Sequence, residues 1–125
     1  MALGEAIAQK LAMASMINKS GKPVSPNVAS LHKTVAQVDW AKSPGLVVNA
    51  LDLPGAETWP IVLTTYAQLP KEPKDPARGQ AVRAFLRHFV TQGDAAASER
   101  HGAGLPDAAQ PLVLKLLAET GRAGG

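Results

Sequence analysis

The stretch WPIVLTTYAQLP, residues 59–70, restricts the fold of this chain more than any other feature of the sequence. Successive side chains of a β-strand point to opposite faces of a sheet, so the two faces can be judged separately. Both faces are apolar or β-favouring here: one carries Ile61, Leu63, Thr65, Ala67 and Leu69, and the other carries Val62, Thr64, Tyr66 and Gln68. Pro60 and Pro70 bracket the run, as at a strand that starts and stops abruptly. The pattern predicts a long strand over about residues 60–70, inside a sheet that is covered on both faces.

The N-terminal part predicts a short helix followed by a hairpin. Residues 5–11 suit a short helix, and residues 12–17 suit a strand. The turn Asn18-Lys19-Ser20-Gly21 follows, with Gly21 able to take a positive φ, and residues 22–24 continue beyond it. We therefore expect a short N-terminal strand or hairpin beside the long strand.

Amphipathic helices are predicted in the rest of the chain. Ser25 and Asp75 are expected to cap two of them, each followed by a proline at the first helical position. Gly93 ends or kinks the second helix, and a final helix opens at 105–107 with a late start or a kink caused by Pro111. The apolar positions expected to face the core are Val28, Leu31, Val35 and Val38, then Val82, Phe85, Leu86, Phe89 and Val90, then Leu112, Val113, Leu116 and Leu117.

Composition and charge exclude several classes of protein. The 125 residues fit one small domain and include no cysteine, which excludes a disulfide framework, a zinc knuckle and a thiol nucleophile. The formal net charge is +3, but the 13 Lys and Arg residues are scattered among 10 acids. Nucleic-acid binders gather their basic residues into a stripe or tail, so a small nucleic-acid-associated protein is disfavoured. No apolar run is long enough to span a membrane, and residues 1–21 lack the pattern of an export signal.

Residues that carry chemistry are present but do not form a recognisable site. The histidines have no metal-ligand spacing, and the Ser98–His101 pair lacks the Gly-x-Ser-x-Gly motif of a nucleophile elbow. A small basic cluster after the strand is expected to face solvent, and several acids sit where helix or turn capping accounts for them. We therefore predict no catalytic residue, no ligand-binding residue, no metal site and no cofactor, and no enzyme activity. The residues considered are His32, His88 and His101; Lys71, Lys74 and Arg78; and Glu57, Glu72, Asp75, Asp94 and Asp107.

Five motifs occur in an order and spacing that resemble one family. They are GKPVSPN, VDWAK, TWPIVLTTYAQLPKEPKDP, AVRAFLRHFVTQG and LPD. From about residue 11 to residue 119 the chain is similar to the C-terminal third of the periplasmic phosphate-binding proteins that serve phosphate ABC transporters. The resemblance implies an incomplete lobe of a two-lobed α/β fold in which phosphate is closed between the lobes. It implies one partial domain over residues 1–125, with a non-family-like N-terminus at 1–11 and a flexible tail at 121–125.

The resemblance implies a function but brings no ligand residue with it. In the family, phosphate is held by main-chain N–H groups, hydroxyls, an Asp and an Arg that lie in the earlier two-thirds of the sequence. No GSGTS-like stretch occurs here, and Gly4-Glu5-Ala6-Ile7-Ala8 replaces a tyrosine-rich segment. We therefore expect the C-terminal fragment of a phosphate importer's binding component, unable to bind phosphate alone and truncated, frameshifted or encoded in pieces.

The expected partners and location follow from the same resemblance. Phosphate and the transporter's permease are the implied partners, and the periplasm is the implied location; a chain that truly starts at Met1 is expected in the cytoplasm. The alternative is a free-standing interaction module that complements a separately encoded N-terminal part by strand addition, or that self-associates.

Overall fold

Helices dominate the secondary structure, and strands contribute little. The computed structural model describes residues 1–120, so the tail predicted at 121–125 lies outside the described residues. In chain order the elements are α1 (Leu3–Ala8), β1 (Met16–Ile17), β2 (Pro23–Val24), α2 (Val28–Ala36), two 3₁₀ turns (Trp40–Lys42 and Pro44–Leu46), α3 (Pro76–Gln92), α4 (Asp94–Glu99) and α5 (Gln110–Glu119). This helix-rich chain with one small sheet is compatible with a piece of an α/β protein.

The predicted hairpin is confirmed, although its strands are short. β1 and β2 pair antiparallel, with Met16 opposite Val24 and Ile17 opposite Pro23. The Asn18 N–H donates to the Lys22 carbonyl oxygen at 2.9 Å, and the Gly21 N–H donates to the Asn18 carbonyl oxygen at 2.8 Å. Gly21 takes a φ of 72°, the left-handed conformation that glycine adopts without steric cost. Only residues 16–17 of the predicted 12–17 strand are paired.

The start of α2 differs from the prediction. Asn27, not Ser25, is the N-cap: its Oδ1 accepts the Ser30 N–H at 2.8 Å, and the Ser30 hydroxyl accepts the Asn27 N–H at 3.2 Å. The Ser25 hydroxyl instead lies 2.8 Å from the Ser15 hydroxyl. An Asn side chain caps as well as Ser, and here the reciprocal bond with Ser30 favours the later start.

The C-terminal helices follow the predicted boundaries. Asp75 caps α3 through a 3.1 Å bond from the Arg78 N–H to its Oδ1, and Pro76 is the first helical residue. Gly93 separates α3 from α4, and α5 starts late, at Gln110, with Pro111 in its first turn. α3 packs against both α4 and α5, and α5 contacts the 3₁₀ turn Pro44–Leu46.

The prediction of a long strand at about 60–70 is wrong for this structure. Among the described residues, no backbone–backbone hydrogen bond involves residues 61–70, and no partner strand lies alongside them. Ile61 and Leu63 are 57% and 92% exposed. A strand is defined by pairing with another strand, and the β-favouring composition of 61–70 supplies no partner for its own N–H and C=O groups.

The buried interior is small and contains nearly as many polar residues as apolar ones. Its apolar members are Val24, Trp40, Ala50, Ala109 and Leu117. Its polar members are Asn18, Ser30, Thr34 and Thr58, and every one of them is hydrogen bonded. On α2 the buried positions are Ser30 and Thr34, while the apolar residues of the predicted stripe are only half-buried.

Three of these polar side chains hold the loop at residues 52–60, and we call Asn18, Thr34 and Thr58 the loop clamp. The Asn18 amide nitrogen donates to the carbonyl oxygens of Gly55 at 2.9 Å, Ala56 at 3.1 Å and Thr58 at 3.3 Å. The Asn18 Oδ1 accepts the N–H groups of residues 20 and 22 in its own turn. One side chain thus fixes the hairpin turn and the distant loop together.

The two threonines complete the clamp. The Thr58 hydroxyl lies 2.9 Å from the carbonyl oxygens of both Leu53 and Gly55, within its own loop. The Thr34 hydroxyl accepts the Trp59 N–H at 2.8 Å and donates to the Ser30 carbonyl oxygen at 2.7 Å. Because Thr34 belongs to α2, it ties that helix to the residue just before the unpaired segment.

Replacing Thr34 by valine tests the clamp. Valine keeps the shape but removes the acceptor of the part-buried Trp59 N–H, and a donor left without a partner away from water costs about 1–3 kcal/mol. We expect the Trp59 amide to exchange with solvent roughly 5–150 times faster, by the relation of 1.4 kcal/mol per tenfold, as measured by residue-resolved hydrogen exchange.

Thr91→Val is the matched control, because the exposed Thr91 hydroxyl donates to the Arg87 carbonyl oxygen within α3. It should leave Trp59 exchange unchanged. Equal exchange at Trp59 in Thr34→Val and the unsubstituted chain would show that Thr34 does not hold the loop.

Candidate functional site

The three histidines lie apart and do not converge on a metal. His88 is exposed on α3, whereas His32 on α2 and His101 after α4 are half-buried. Within residues 1–120, no group of three or more His, Cys, Asp or Glu side chains is placed to hold a metal ion. The histidines therefore make no shared site in this part of the chain.

The Ser98–His101 pair is explained by the end of α4. The His101 N–H donates to the Ser98 carbonyl oxygen at 2.9 Å, and the Gly102 N–H donates to the Ala97 carbonyl oxygen at 2.8 Å. His101 takes a φ of 58°, the left-handed conformation common where a helix ends. Their proximity comes from main-chain hydrogen bonds, and neither side chain is among the hydrogen-bonded groups of residues 1–120.

The acids considered in the sequence have structural roles where the structure gives them partners. Asp75 caps α3, and the Asp94 Oδ1 accepts the Gly104 N–H at 3.2 Å, which ties the loop after α4 back to its first residue. Glu57 pairs with Lys33 at 3.5 Å on the surface. The capping role predicted for these acids is confirmed for Asp75, whereas Asp94 bonds a loop N–H and Glu57 forms an ion pair.

One carboxylate has a shifted ionisation. The Asp39 side chain accepts the Lys42 N–H at 3.3 Å and pairs with the Lys42 ammonium at 3.0 Å. The side-chain bond from Lys42 is the main cause that lowers the pKa of Asp39 below its usual value. Asp39 is exposed and caps the 3₁₀ turn Trp40–Lys42, so this shift reflects a local turn rather than an active site.

The basic cluster borders an open groove at the start of α3. Lys74 and Arg78 line this groove of about 380 Å³, whereas Lys71 does not. Arg83, which lies one and a half turns after Arg78, joins them and was not singled out in the sequence. Leu69, Pro70, Pro73 and Val82 supply the apolar part of the lining.

A close approach of the loop to the helix shapes this groove. A Cβ placed on Gly79 would lie 2.6 Å from Cγ of Pro73, so a glycine at this position lets the loop at 71–75 rest on α3. The arginines and the lysine lie at an open rim, where water screens their charge. The groove contains no nucleophile paired with a base.

The unpaired segment at 61–70 borders the groove, because its last residues form one groove wall. Its start is fixed by the loop clamp, and its middle is held by Tyr66. The Tyr66 hydroxyl accepts the Val48 N–H at 3.0 Å and lies 3.2 Å from the Val48 carbonyl oxygen. A side chain thus occupies main-chain groups of Val48 that a neighbouring strand would otherwise bond.

The helices were compared with the length and apolar character of a membrane-spanning segment. No helix among residues 1–120 combines the length and the apolar character required to cross a bilayer.

Comparison with known proteins identifies the relatives of this chain. No protein-family model matches it. The PstS phosphate-binding protein of Pasteurella multocida strain Pm70 is 31% identical over 98 residues, which are 78% of this chain and 28% of that protein. The corresponding protein of Xylella fastidiosa strain Temecula1 is 27% identical over 104 residues, 83% of this chain and 29% of that protein.

A third relative gives the same picture. The PstS phosphate-binding protein of Haemophilus influenzae is 28% identical over 90 residues, 72% of this chain and 27% of that protein. The chain therefore spans less than a third of the length of these curated relatives. Most of the chain resembles one part of a PstS phosphate-binding protein, which confirms the family predicted from its motifs.

Proposed function

We propose that this chain is the C-terminal scaffold segment of a phosphate-binding receptor that serves a phosphate ABC importer. It builds part of one α/β lobe, while the residues that hold phosphate belong to the remaining two-thirds of the receptor. The observation that carries this proposal is the segment 61–70, whose β-favouring residues have no backbone partner among residues 1–120. Such a segment is a sheet component that lacks its sheet.

The relatives support the phosphate part of the proposal. Each is named for binding phosphate, and each is more than three times as long as the stretch it shares with this chain, since that stretch is 27–29% of its length. A shared stretch of this size fits a scaffold role within one lobe. A receptor that serves such an importer acts in the periplasm, and the importer's permease is its second partner.

The polar interior supports the assignment of the ligands to another part of the receptor. A phosphate removed from water needs several preorganised charged or N–H donors around it. The buried polar side chains of residues 1–120 are already hydrogen bonded, mostly within the loop clamp and the α2 cap. Three cations, Lys74, Arg78 and Arg83, line one groove, and that groove is open. This arrangement suits a scaffold and supplies neither an anion cage nor a catalytic apparatus.

A second candidate function is an interaction module that complements a separately encoded N-terminal part. The unpaired backbone at 61–70 favours it equally, because strand addition is a common way for two chains to complete one sheet. Self-association through the same segment is a variant of this candidate. The scattered charge disfavours a nucleic-acid-associated role.

Phosphate titration of the isolated chain tests the first proposal. Each charge-assisted hydrogen bond that the ligand lacks is worth about 1.5–3 kcal/mol, so the absence of even two weakens binding roughly 10²–10⁴-fold. We expect isothermal titration calorimetry to show no saturable phosphate binding by the 125-residue chain, whereas the Pasteurella multocida relative, titrated in parallel, binds.

A substitution in the groove provides the control for nonspecific attraction. Arg78→Gln removes one of the groove cations and should leave the titration of the isolated chain unchanged. Saturable phosphate binding by the isolated chain that Arg78→Gln abolishes would contradict the scaffold assignment and locate a ligand site in this groove.

A further inference from the structure

The groove at the start of α3 contains a half-buried cation whose counter-ion is not supplied by residues 1–120. Arg83 is half-buried, whereas Lys74 and Arg78 on the groove rim are exposed. A Cβ placed on Gly79 would lie 3.4 Å from Nη1 of Arg83, so the guanidinium reaches back along the helix and lies beside that glycine. Within residues 1–120, none of these three cations belongs to an ion pair. A partly desolvated cation binds a carboxylate more strongly than a fully hydrated one does.

The charge around this groove is one-sided. Asp75 is the one acid that lines it within residues 1–120, and its Oδ1 accepts the Arg78 N–H as the cap of α3. Three cations and one acid give the lining a formal excess of two positive charges. The helix itself, Pro76–Gln92, has no Asp or Glu that could neutralise them. A concave surface of one charge sign attracts the opposite charge, so the groove favours an acidic ligand.

The lining between the two arginines is apolar. Arg78 and Arg83 are five residues apart, which places them about 140° apart around α3 at about 100° per residue. Gly79 and Val82 lie between them on this arc. The other wall comes from the end of the extended segment and the loop after it, through Leu69, Pro70 and Pro73. The groove therefore offers an apolar surface with cations on both sides.

Other occupants match this lining less well. A single-stranded nucleic acid stacks its bases on aromatic rings, and no aromatic side chain lines the groove within residues 1–120. A bilayer is too broad to enter a groove of about 380 Å³. A small anion leaves the apolar lining unused and stays hydrated in an open groove. A second copy of this chain that used the same surface would bring like charges together.

We propose that this groove docks an extended acidic peptide of a partner protein. The peptide carries an apolar side chain, with one carboxylate two residues before it and another two residues after it. Alternate residues of an extended chain share a face, so all three side chains enter the groove together. The apolar side chain packs against Val82 and Leu69. One carboxylate pairs with the guanidinium of Arg83, and the other pairs with Arg78 on the rim. The surface belongs to this chain under either candidate function, and its docking requires no phosphate.

Short synthetic peptides test this docking. The probe is a fluorescently labelled peptide of sequence Gly-Glu-Ser-Leu-Ser-Glu-Gly with blocked ends, titrated with the full 125-residue chain at low ionic strength. We expect a saturable rise in fluorescence anisotropy. Replacing both glutamates by glutamine, or the leucine by serine, should weaken binding at least about 10-fold, because each change removes charge-assisted bonds or apolar burial. No saturable binding of the probe, or unchanged affinity after either replacement, overturns the proposal.

Arg83→Gln tests the half-buried cation. It should weaken binding of the probe at least about 10-fold, since hydrogen bonds to charged groups are the stronger kind. Arg87→Gln is the matched control: Arg87 is exposed on the same helix and outside the groove lining, and the substitution changes the net charge equally. It should change the affinity less than about twofold, because water and salt screen a charge outside the groove. Circular dichroism establishes that both variants keep their helices. Equal weakening in both variants reduces the binding to general charge attraction and overturns the assigned site.

Amide resonances of the unsubstituted chain locate the contact without any variant. In two-dimensional NMR spectra of the isotope-labelled chain, the probe should shift amides within residues 74–83, while the Trp59 amide in the loop clamp stays in place. Shifts confined to other parts of the chain overturn the proposal. Groove shifts that grow with chain concentration in the absence of the probe assign the groove to a second copy. Groove shifts that oligothymidylate or inorganic phosphate produces at lower concentration than the probe assign it to nucleic acid or to a small anion. Each of these results also overturns peptide docking.

Discussion

The arrangement of this chain depends on the buried amide of Asn18. Its nitrogen donates to carbonyl oxygens in the loop at 52–60, and its oxygen accepts two N–H groups of the hairpin turn. A buried amide is stable only when both ends are bonded, so hairpin and loop fix each other. Thr34 adds α2 to the same unit through the Trp59 N–H. These bonds hold the loop from which residues 61–70 leave.

The thin apolar interior accounts for this reliance on polar contacts. Two of the five buried apolar residues are alanines, which remove little area from water. Larger side chains remain at the surface: Phe85 and Phe89 stack on α3 with ring centroids 6.4 Å apart, yet they are 65% and 54% exposed. The helix therefore has an apolar face against α5 and a second one that residues 1–120 leave open. This is the pattern of a layer whose facing layer belongs to another part of the receptor proposed above.

Local features were predictable from the sequence, and features that depend on distant partners were not. Asp75 followed by Pro76 identifies the start of α3, because a cap and its helix are only a few residues apart. The Asn18–Gly21 turn identifies the hairpin for the same reason. At Ser25 the prediction missed because Asn27 offers an equally good cap with a reciprocal partner in Ser30. The loop clamp could not be predicted from the sequence. Asn18 has the pattern of a turn residue, and Thr34 is a polar residue beside the apolar stripe of α2.

The segment at 61–70 shows where local information ends. Its composition specifies a strand covered on both faces, but pairing depends on strands that residues 1–120 do not contain. The groove shows the same limit on a smaller scale: Lys74 and Arg78 are visible as a cluster, whereas Arg83 joins them only because α3 turns it toward the same opening.

Hairpin, caps and helices close their hydrogen bonds within a few residues, and the clamp closes the loop. Among residues 1–120, the β-favouring segment at 61–70 takes part in no backbone–backbone hydrogen bond. A binding protein that closes over its ligand needs a rigid sheet to position its donors, because an imprecise donor loses most of its value. In the scaffold function proposed above, residues 61–70 help to build the frame that positions the phosphate donors, and the donors themselves belong to another part of the receptor.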